Sequence, residues 1–184
     1  MVDDERILEA ALDVIAERGY AAATTRRIAE AAGINEVTLF RRFGNKKKLL
    51  MAAAAREARQ ASVAEIEYTG DLHADLLHVV EFYRELMDKR APTIIMLLSE
   101  LPRQPELREA MGTPIGIIET VTELLRRYQE DGALLREPPM QGFYSLVGPI
   151  YLEAAVHMAF GTQPAQVDPE EQIRRFLRGR RRLG

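Results

Sequence analysis

Apolar residues recur at three- and four-residue spacing along most of this chain, and the patterned stretches are separated by Gly and Pro. Ile7, Leu8, Ala11, Leu12 and Ile15 form a wide stripe that predicts a first helix over about Asp4–Arg18, ended by Gly19. Two shorter units follow. Ile28, Ala29 and Ala32 make one narrow apolar face, and Leu39 and Phe43, four apart, make another. Between them Gly33 stands where a left-handed residue ends a helix, and Asn35 where a side chain caps the next. A fourth helix is expected from Lys46 to near Tyr68, and a fifth over Leu72–Arg90 on the stripe Leu72, Leu76, Val79, Val80, Tyr83, Leu86 and Met87. Pro92 is expected to open a short apolar helix closed by Pro102 and Pro105. Further helices are predicted over about Ile115–Tyr128 and Met140–Phe160, with Pro149 as a kink point in the latter. Asp168-Pro169-Glu170-Glu171 opens a last helix through Ile173, Phe176 and Leu177 to about Arg180. No run alternates as a strand does. The expected fold is all-α with about nine helices.

The two short units carry the first chemical signal. On a 100°-per-residue wheel Val37, Thr38 and Arg41 point away from Leu39 and Phe43, with Phe40 and Arg42 flanking. A face mixing Val, Thr and arginines suits base edges and phosphates, which is the pattern of a helix-turn-helix whose second helix enters a DNA major groove. Lys46, Lys47 and Lys48 then fill the first turn of the next helix. Cations there oppose the helix dipole by roughly 0.3–1 kcal/mol each, which is easier to understand if a phosphate sits at that terminus. A solvated lysine run is the plain alternative. Charge separates them: Arg26, Arg27, Arg41, Arg42, Lys46, Lys47 and Lys48 against Glu30 and Glu36 give +5 within Thr24–Lys48, while the whole chain is at −3. A basic island in an acidic protein is the electrostatic footprint of nucleic-acid binding.

The stretch Thr24–Leu50, TTRRIAEAAGINEVTLFRRFGNKKKLL, resembles the N-terminal domain of TetR-type (tetracycline-repressor-type) transcriptional regulators, and the similarity runs from about Ile7 to Leu50. The resemblance implies a helix-turn-helix DNA-binding head over residues 1–50 and a helical ligand-binding and dimerisation domain over 51–184. It implies that Thr24 and Thr25 meet a phosphate at the start of the second helix, that Thr38 and its neighbours face bases, and that Lys46 holds a backbone phosphate. The DNA-facing set so obtained is Thr24, Thr25, Arg26, Glu36, Val37, Thr38, Phe40, Arg41, Arg42, Lys46 and Lys48. Two positions depart from the family's habit. Phe40 stands where many members carry Tyr, which removes a phenol–phosphate bond. Glu36 places an acid at the groove-facing start of the recognition helix, where it accepts from a cytosine amine or repels the backbone.

Composition narrows the remaining choices. The 184-residue chain is long enough to bury a real core, and it contains no Cys, hence no disulfide framework or thiolate metal site. A reducing cytoplasm is the expected compartment. The acidic start MVDDER has no apolar h-region of a signal peptide. Apolar runs fall short of the ~20 residues a membrane helix needs, so no membrane partner is expected. His73 and His78, five apart on different helix faces, and His157 are read as structural or surface histidines, and no metal site is expected. There is no GxSxG, no HExxH and no phosphate-cradling glycine loop, so neither enzymatic activity nor a cofactor is expected.

The C-terminal half carries no motif of its own. By family analogy its last two helices pair with those of a second copy. The Met140–Phe160 stretch fits, being apolar around more than half its circumference, which calls for cover on two sides. The dimer residues expected are Phe143, Val147, Ile150, Ala154, Met158, Ile173, Phe176 and Leu177. A small, largely apolar effector is expected among Tyr83, Met87, Met96, Glu100, Met111, Ile118, Phe143, Tyr144 and Tyr151, because Met is adaptable and Tyr has an amphipathic tip. The same residues read equally as plain core. The partners expected are thus double-stranded DNA, a second copy and a small-molecule effector. The competing reading is an effector-free or architectural DNA-binding protein whose C-terminal domain serves only dimerisation or partner contact. In it Arg174, Arg175, Arg178, Arg180, Arg181 and Arg182 would add a second DNA contact.

Overall fold

In the computed structural model, residues 3–60, 66–103, 112–162 and 167–180 are described. Among them are eight helices and no strand: α1 (Asp4–Ala22), α2 (Thr25–Ala32), α3 (Glu36–Phe43), α4 (Lys46–Gln60), α5 (Leu72–Glu100), α6 (Gly112–Glu130), α7 (Pro139–Phe160) and α8 (Pro169–Arg178). The chain divides into two compact units, residues 1–60 with 92–115, and residues 61–91 with 116–184.

The first unit is built on α1. Its buried Ile7, Leu8, Ala11, Leu12 and Ile15 meet Ile28, Ala29 and Ala32 of α2, Leu39 of α3, and Leu49, Leu50 and Ala53 of α4, with Leu97 of α5 closing the cluster. Helices of eight residues do not persist alone in water, so α2 and α3 exist because this core holds them, each large buried side chain contributing about 1.5–3 kcal/mol. Polar ties fix the helices' settings. Arg56 of α4 reaches Glu9 of α1 at 2.8 Å, and Arg42 of α3 reaches Asp4 of α1 at 2.7 Å. The Thr93 hydroxyl donates to the Leu12 carbonyl at 3.4 Å.

The second unit packs Leu76, Val79, Val80, Tyr83 and Met87 of α5 against Val121, Leu124, Leu125 and Tyr128 of α6, with Phe143, Leu146, Val147 and Ile150 of α7 and Ile173 and Phe176 of α8. A Cβ at Gly142 would stand 3.1 Å from Leu125 Cδ1, so the missing side chain is what lets the start of α7 approach α6. Asp75 is buried, and its carboxylate accepts from Thr69 N at 2.8 Å, Thr69 Oγ1 at 2.6 Å and the Tyr128 hydroxyl. A buried carboxyl group is tolerated there because its oxygens are hydrogen-bonded. The same acceptor and the burial push the Tyr128 hydroxyl pKa above its ordinary value, burial contributing most.

Three boundaries differ from the sequence expectation. Gly19 (φ 78°) breaks the regular turn of α1, but the helix resumes to Ala22, because Arg27 donates to the Ala22 carbonyl and Lys46 to the Tyr20 carbonyl, both at 2.7 Å. Pro92 does not start a helix; α5 runs through it. Proline there has no N–H to donate to the Asp88 carbonyl, and both residues are exposed, so that carbonyl is open to a donor from solvent instead. Tyr68 lies in non-helical backbone, its ring 4.6 Å from that of Tyr128 and its hydroxyl on Asp131. The expected stop at Pro105 lies outside the described residues.

Candidate nucleic-acid interface

Local chemistry sets the α2–turn–α3 unit. Thr24 caps α2, its hydroxyl accepting from Arg27 N at 3.3 Å, and Asn35 caps α3, its Oδ1 accepting from Thr38 N at 2.7 Å. Gly33 takes the left-handed conformation (φ 71°) between them, which a residue with a side chain adopts at a cost. Its N–H and that of Ile34 donate to the Glu30 and Ala29 carbonyls, closing α2. Asn45 caps α4 through Lys48 N at 2.9 Å.

The outer side of α3 is what this scaffold presents. Val37 is 77% and Phe40 48% exposed. Arg41 is exposed and has no hydrogen bond or ion pair among the described residues, while Thr38 is half-buried. Leu39 is fully buried on the opposite side. An apolar patch and a free guanidinium on one short helix match a thymine methyl and the acceptor edge of guanine.

The other expected DNA residues carry structural duties as well. The Thr25 hydroxyl donates to Glu36 Oε1 at 2.6 Å, joining the first residues of α2 and α3. That bond uses the hydroxyl hydrogen and leaves Thr25 only acceptor capacity, and it holds the Glu36 carboxylate back along the helix. Arg42 is tied to Asp4, and Arg26 to Glu30 at 3.0 Å on the surface. Thr24 and Lys48 are exposed at the starts of α2 and α4. Lys46 is half-buried with its Nζ 3.8 Å from the Tyr20 ring centroid and bonded to the Tyr20 carbonyl. The sequence reading missed Tyr20 as this seat; its only trace is an aromatic residue directly after Gly19.

The effector candidates do not all gather. Tyr83 is buried with ring centroids 5.8 Å from Phe143 and 6.1 Å from Tyr151. Its hydroxyl is buried without a hydrogen-bond partner among the described residues. Burial, and secondarily Tyr151, pushes the Tyr83 pKa far up, and burial pushes Tyr151 up to about 12. Met87 is buried and Ile118 half-buried in the same unit. Met96 and Glu100 belong to the first unit, where Met96 packs on the α1 core. Tyr144 is 64% exposed, because neighbours on a helix point 100° apart and Phe143 takes the inward direction. Met111 lies outside the described residues.

Among the expected dimer residues, Phe143, Val147, Ile150, Ile173 and Phe176 are buried within their own unit and leave no surface for a partner. Ala154 and Leu177 are half-buried, and Met158 is exposed. The apolar surface that α7 does expose lies on its other side, at Tyr144, Leu152 (66% exposed) and Val156, with Phe160 at its end. The signal was present in the sequence as a four-residue spacing, but the longer inward stripe masked it.

Residues 7–53 match the family model for bacterial regulatory proteins, tetR family. Over 132 residues the chain is 30% identical to the HTH-type transcriptional regulator YvkB of Bacillus subtilis (strain 168), covering 71% of this chain and 70% of that protein. It is 28% identical over 154 residues to the HTH-type transcriptional repressor AcnR of Corynebacterium efficiens, covering 83% and 77% respectively. Its fold is similar to that of a TetR family transcription regulator from Marinobacter aquaeolei VT8, with a TM-score of 0.73, 18% identity and coverage of 97% and 96%. The chain belongs to the TetR family of bacterial helix-turn-helix transcriptional regulators.

Proposed function

We propose that this protein is a repressor that binds a palindromic operator as a homodimer and is released by a small, largely apolar ligand. The observation that carries the DNA reading is the outward side of α3, where Val37, Phe40 and the unpaired Arg41 stand exposed on a helix fixed by two caps and a buried Leu39. In this reading residues 1–50 form the head and residues 51–184 serve ligand and dimer. Arg41 and Thr38 contact bases, while Thr24, Lys48 and the N-terminus of α4 hold phosphates. Lys46 supports that terminus from its seat on Tyr20.

A second copy is supported by α7. Its outward side is apolar, and Glu153 is the only formally charged residue in the helix. Two copies bring two heads to half-sites roughly one helical turn, ~34–36 Å, or more apart. Repression is supported by the similarity to AcnR, itself a repressor. The ligand reading is supported by the Tyr83 hydroxyl, since an orphaned buried donor costs about 1–3 kcal/mol and a ligand's acceptor removes that cost.

Selection of binding sites from randomised duplexes with the purified protein tests the first part; an enriched palindrome is expected, and enrichment of nothing overturns it. Thermal-shift screening of apolar compounds, with and without the selected duplex, tests the second. Linkage requires operator DNA to weaken a true inducer's binding, typically by about 1–3 kcal/mol. Hits whose binding ignores DNA, or survives Tyr83→Phe unchanged, leave the effector-free reading standing.

A further inference from the structure

Val37, Phe40 and Arg41 stand at i, i+3 and i+4 on α3, within about 100° of one another around its axis, and all three are exposed. The fold does not call for apolar residues on that side. Leu39, on the far side, supplies the buried contact, and a β-branched residue in an exposed first turn is a poorer helix former than Ala, Glu or Lys. The surface is nevertheless held in place. Asn35 caps the helix through Thr38 N at 2.7 Å, and Glu36 Oε1 accepts from the Thr25 hydroxyl at 2.6 Å. Around the axis the order is Glu36, Phe40, Val37, Arg41. An apolar centre thus has a carboxylate on one flank and, on the other, a guanidinium with no hydrogen bond or ion pair among the described residues.

Resting on the reading of α3 as the helix that enters the groove, we propose that Val37 and Phe40 read a thymine C5-methyl group in each half-site, close to a guanine held by Arg41. Of the four bases only thymine presents a methyl group in the major groove. Against adenine, guanine or cytosine the same two side chains would cover an N7, O6 or N4 group and offer it no partner, which costs a hydrogen bond to water. The flanks decide between base edges and backbone. Glu36 lies one turn before Phe40, so a phosphate beside that ring meets like charge, and the ring is left to the bases. Arg41, on the other flank, has its full fork of donors for the O6 and N7 acceptors of guanine. Val37 and Arg41 are about 6 Å apart along the axis, under two base-pair steps of ~3.4 Å, which places the thymine and the guanine within about two base pairs of each other.

Base analogues in the duplex selected by the full chain test this, with binding measured at fixed ionic strength. Deoxyuridine in place of the contacted thymine removes one methyl group and keeps every hydrogen-bonding group, so it should weaken binding about fourfold per half-site, the worth of one buried methyl. Exchanging that T·A pair for C·G should weaken binding further, and methylating the new cytosine at C5 should recover about the same fourfold. Val37→Ala with Phe40→Ala should abolish both methyl effects while Tm and helix content stay native. Where that double variant binds too weakly to measure, Val37→Ala alone should bring each effect down to about twofold. Arg41→Ala should keep both methyl effects and lose the sensitivity to 7-deazaguanine, which lacks the N7 acceptor. The inference is overturned if the deoxyuridine duplex binds as tightly as its parent, or if the selected half-site has no thymine within about two base pairs of a guanine. It is also overturned if the methyl effects persist undiminished in the Val37 and Phe40 variants, which would assign them to duplex stiffness. A selection that enriches no duplex sinks the operator reading itself, whereas an enriched duplex indifferent to its methyl groups sinks only this inference.

Discussion

Helices α3 and α7 both turn apolar side chains to the outside, and their surroundings give that exposure opposite meanings. On α3, Val37 and Phe40 stand beside Arg41 and Arg42, on a stretch whose net charge is +5. On α7, Tyr144, Leu152 and Val156 lie on a 22-residue helix whose only formal charge is Glu153. Desolvating the α3 face against a protein would strand the guanidinium, whereas a polyanion with methyl groups satisfies both parts of it. The α7 face has nothing to strand. Exposed apolar area alone names no partner; the charges around it do.

The comparison breaks first at α7. Leu152→Asp places a carboxylate at the middle of the outward face, and self-association should weaken by at least about a hundredfold, ~3 kcal/mol. Sedimentation should show a monomer, and affinity for the palindrome should fall with it. Ile150→Asp is the informative contrast, because Ile150 is 5% exposed inside its own unit and a charge there should unfold the chain rather than merely separate two copies. A Leu152→Asp protein that sediments as a dimer would place the partner face elsewhere.

On α3 the expected losses are smaller and selective. Arg41→Ala should cost about 1–3 kcal/mol on the preferred duplex, relax base preference nearby, and change binding to random duplex little. Equal losses on both would mean that Arg41 contacts phosphate only.

The same contrast explains what could be read in advance. Gly33 and Asn35 act within a few residues of themselves, so their left-handed turn and cap were legible, as was the inward pairing of Leu39 with Phe43. What a side chain does at long range was not. Glu36 finds Thr25 eleven positions away, and Lys46 finds Tyr20 at twenty-six. On α7 the helix was evident, yet periodicity cannot say which of two apolar sides turns inward; the close approach at Gly142 and the Gln172 bond to Leu146 settle that. Pro92 misled for a related reason, since an exposed carbonyl tolerates a missing partner that a buried one would not.

Thr25→Val sharpens the picture of how α3 is held. It removes the 2.6 Å bond to Glu36 without changing shape, and a charge-assisted bond that is partly solvated should cost about 1 kcal/mol of stability, read as a lower Tm. Glu36→Gln keeps a weaker bond and should cost less. An unchanged Tm in Thr25→Val would show that packing alone sets the α2–α3 angle.

The smallest expected effect separates two lysines two residues apart. Lys48 is exposed at the start of α4, so Lys48→Ala should reduce the salt dependence of DNA binding by about one unit of slope, alike on specific and random duplex, with Tm unchanged. Lys46 sits over the Tyr20 ring and on its carbonyl, where it satisfies the broken end of α1. Lys46→Ala should therefore lower Tm as well as affinity, because an acceptor at that helix end is left without its donor. If the two variants behave identically in both measurements, the seat on Tyr20 has no energetic weight and both lysines serve the phosphates alone.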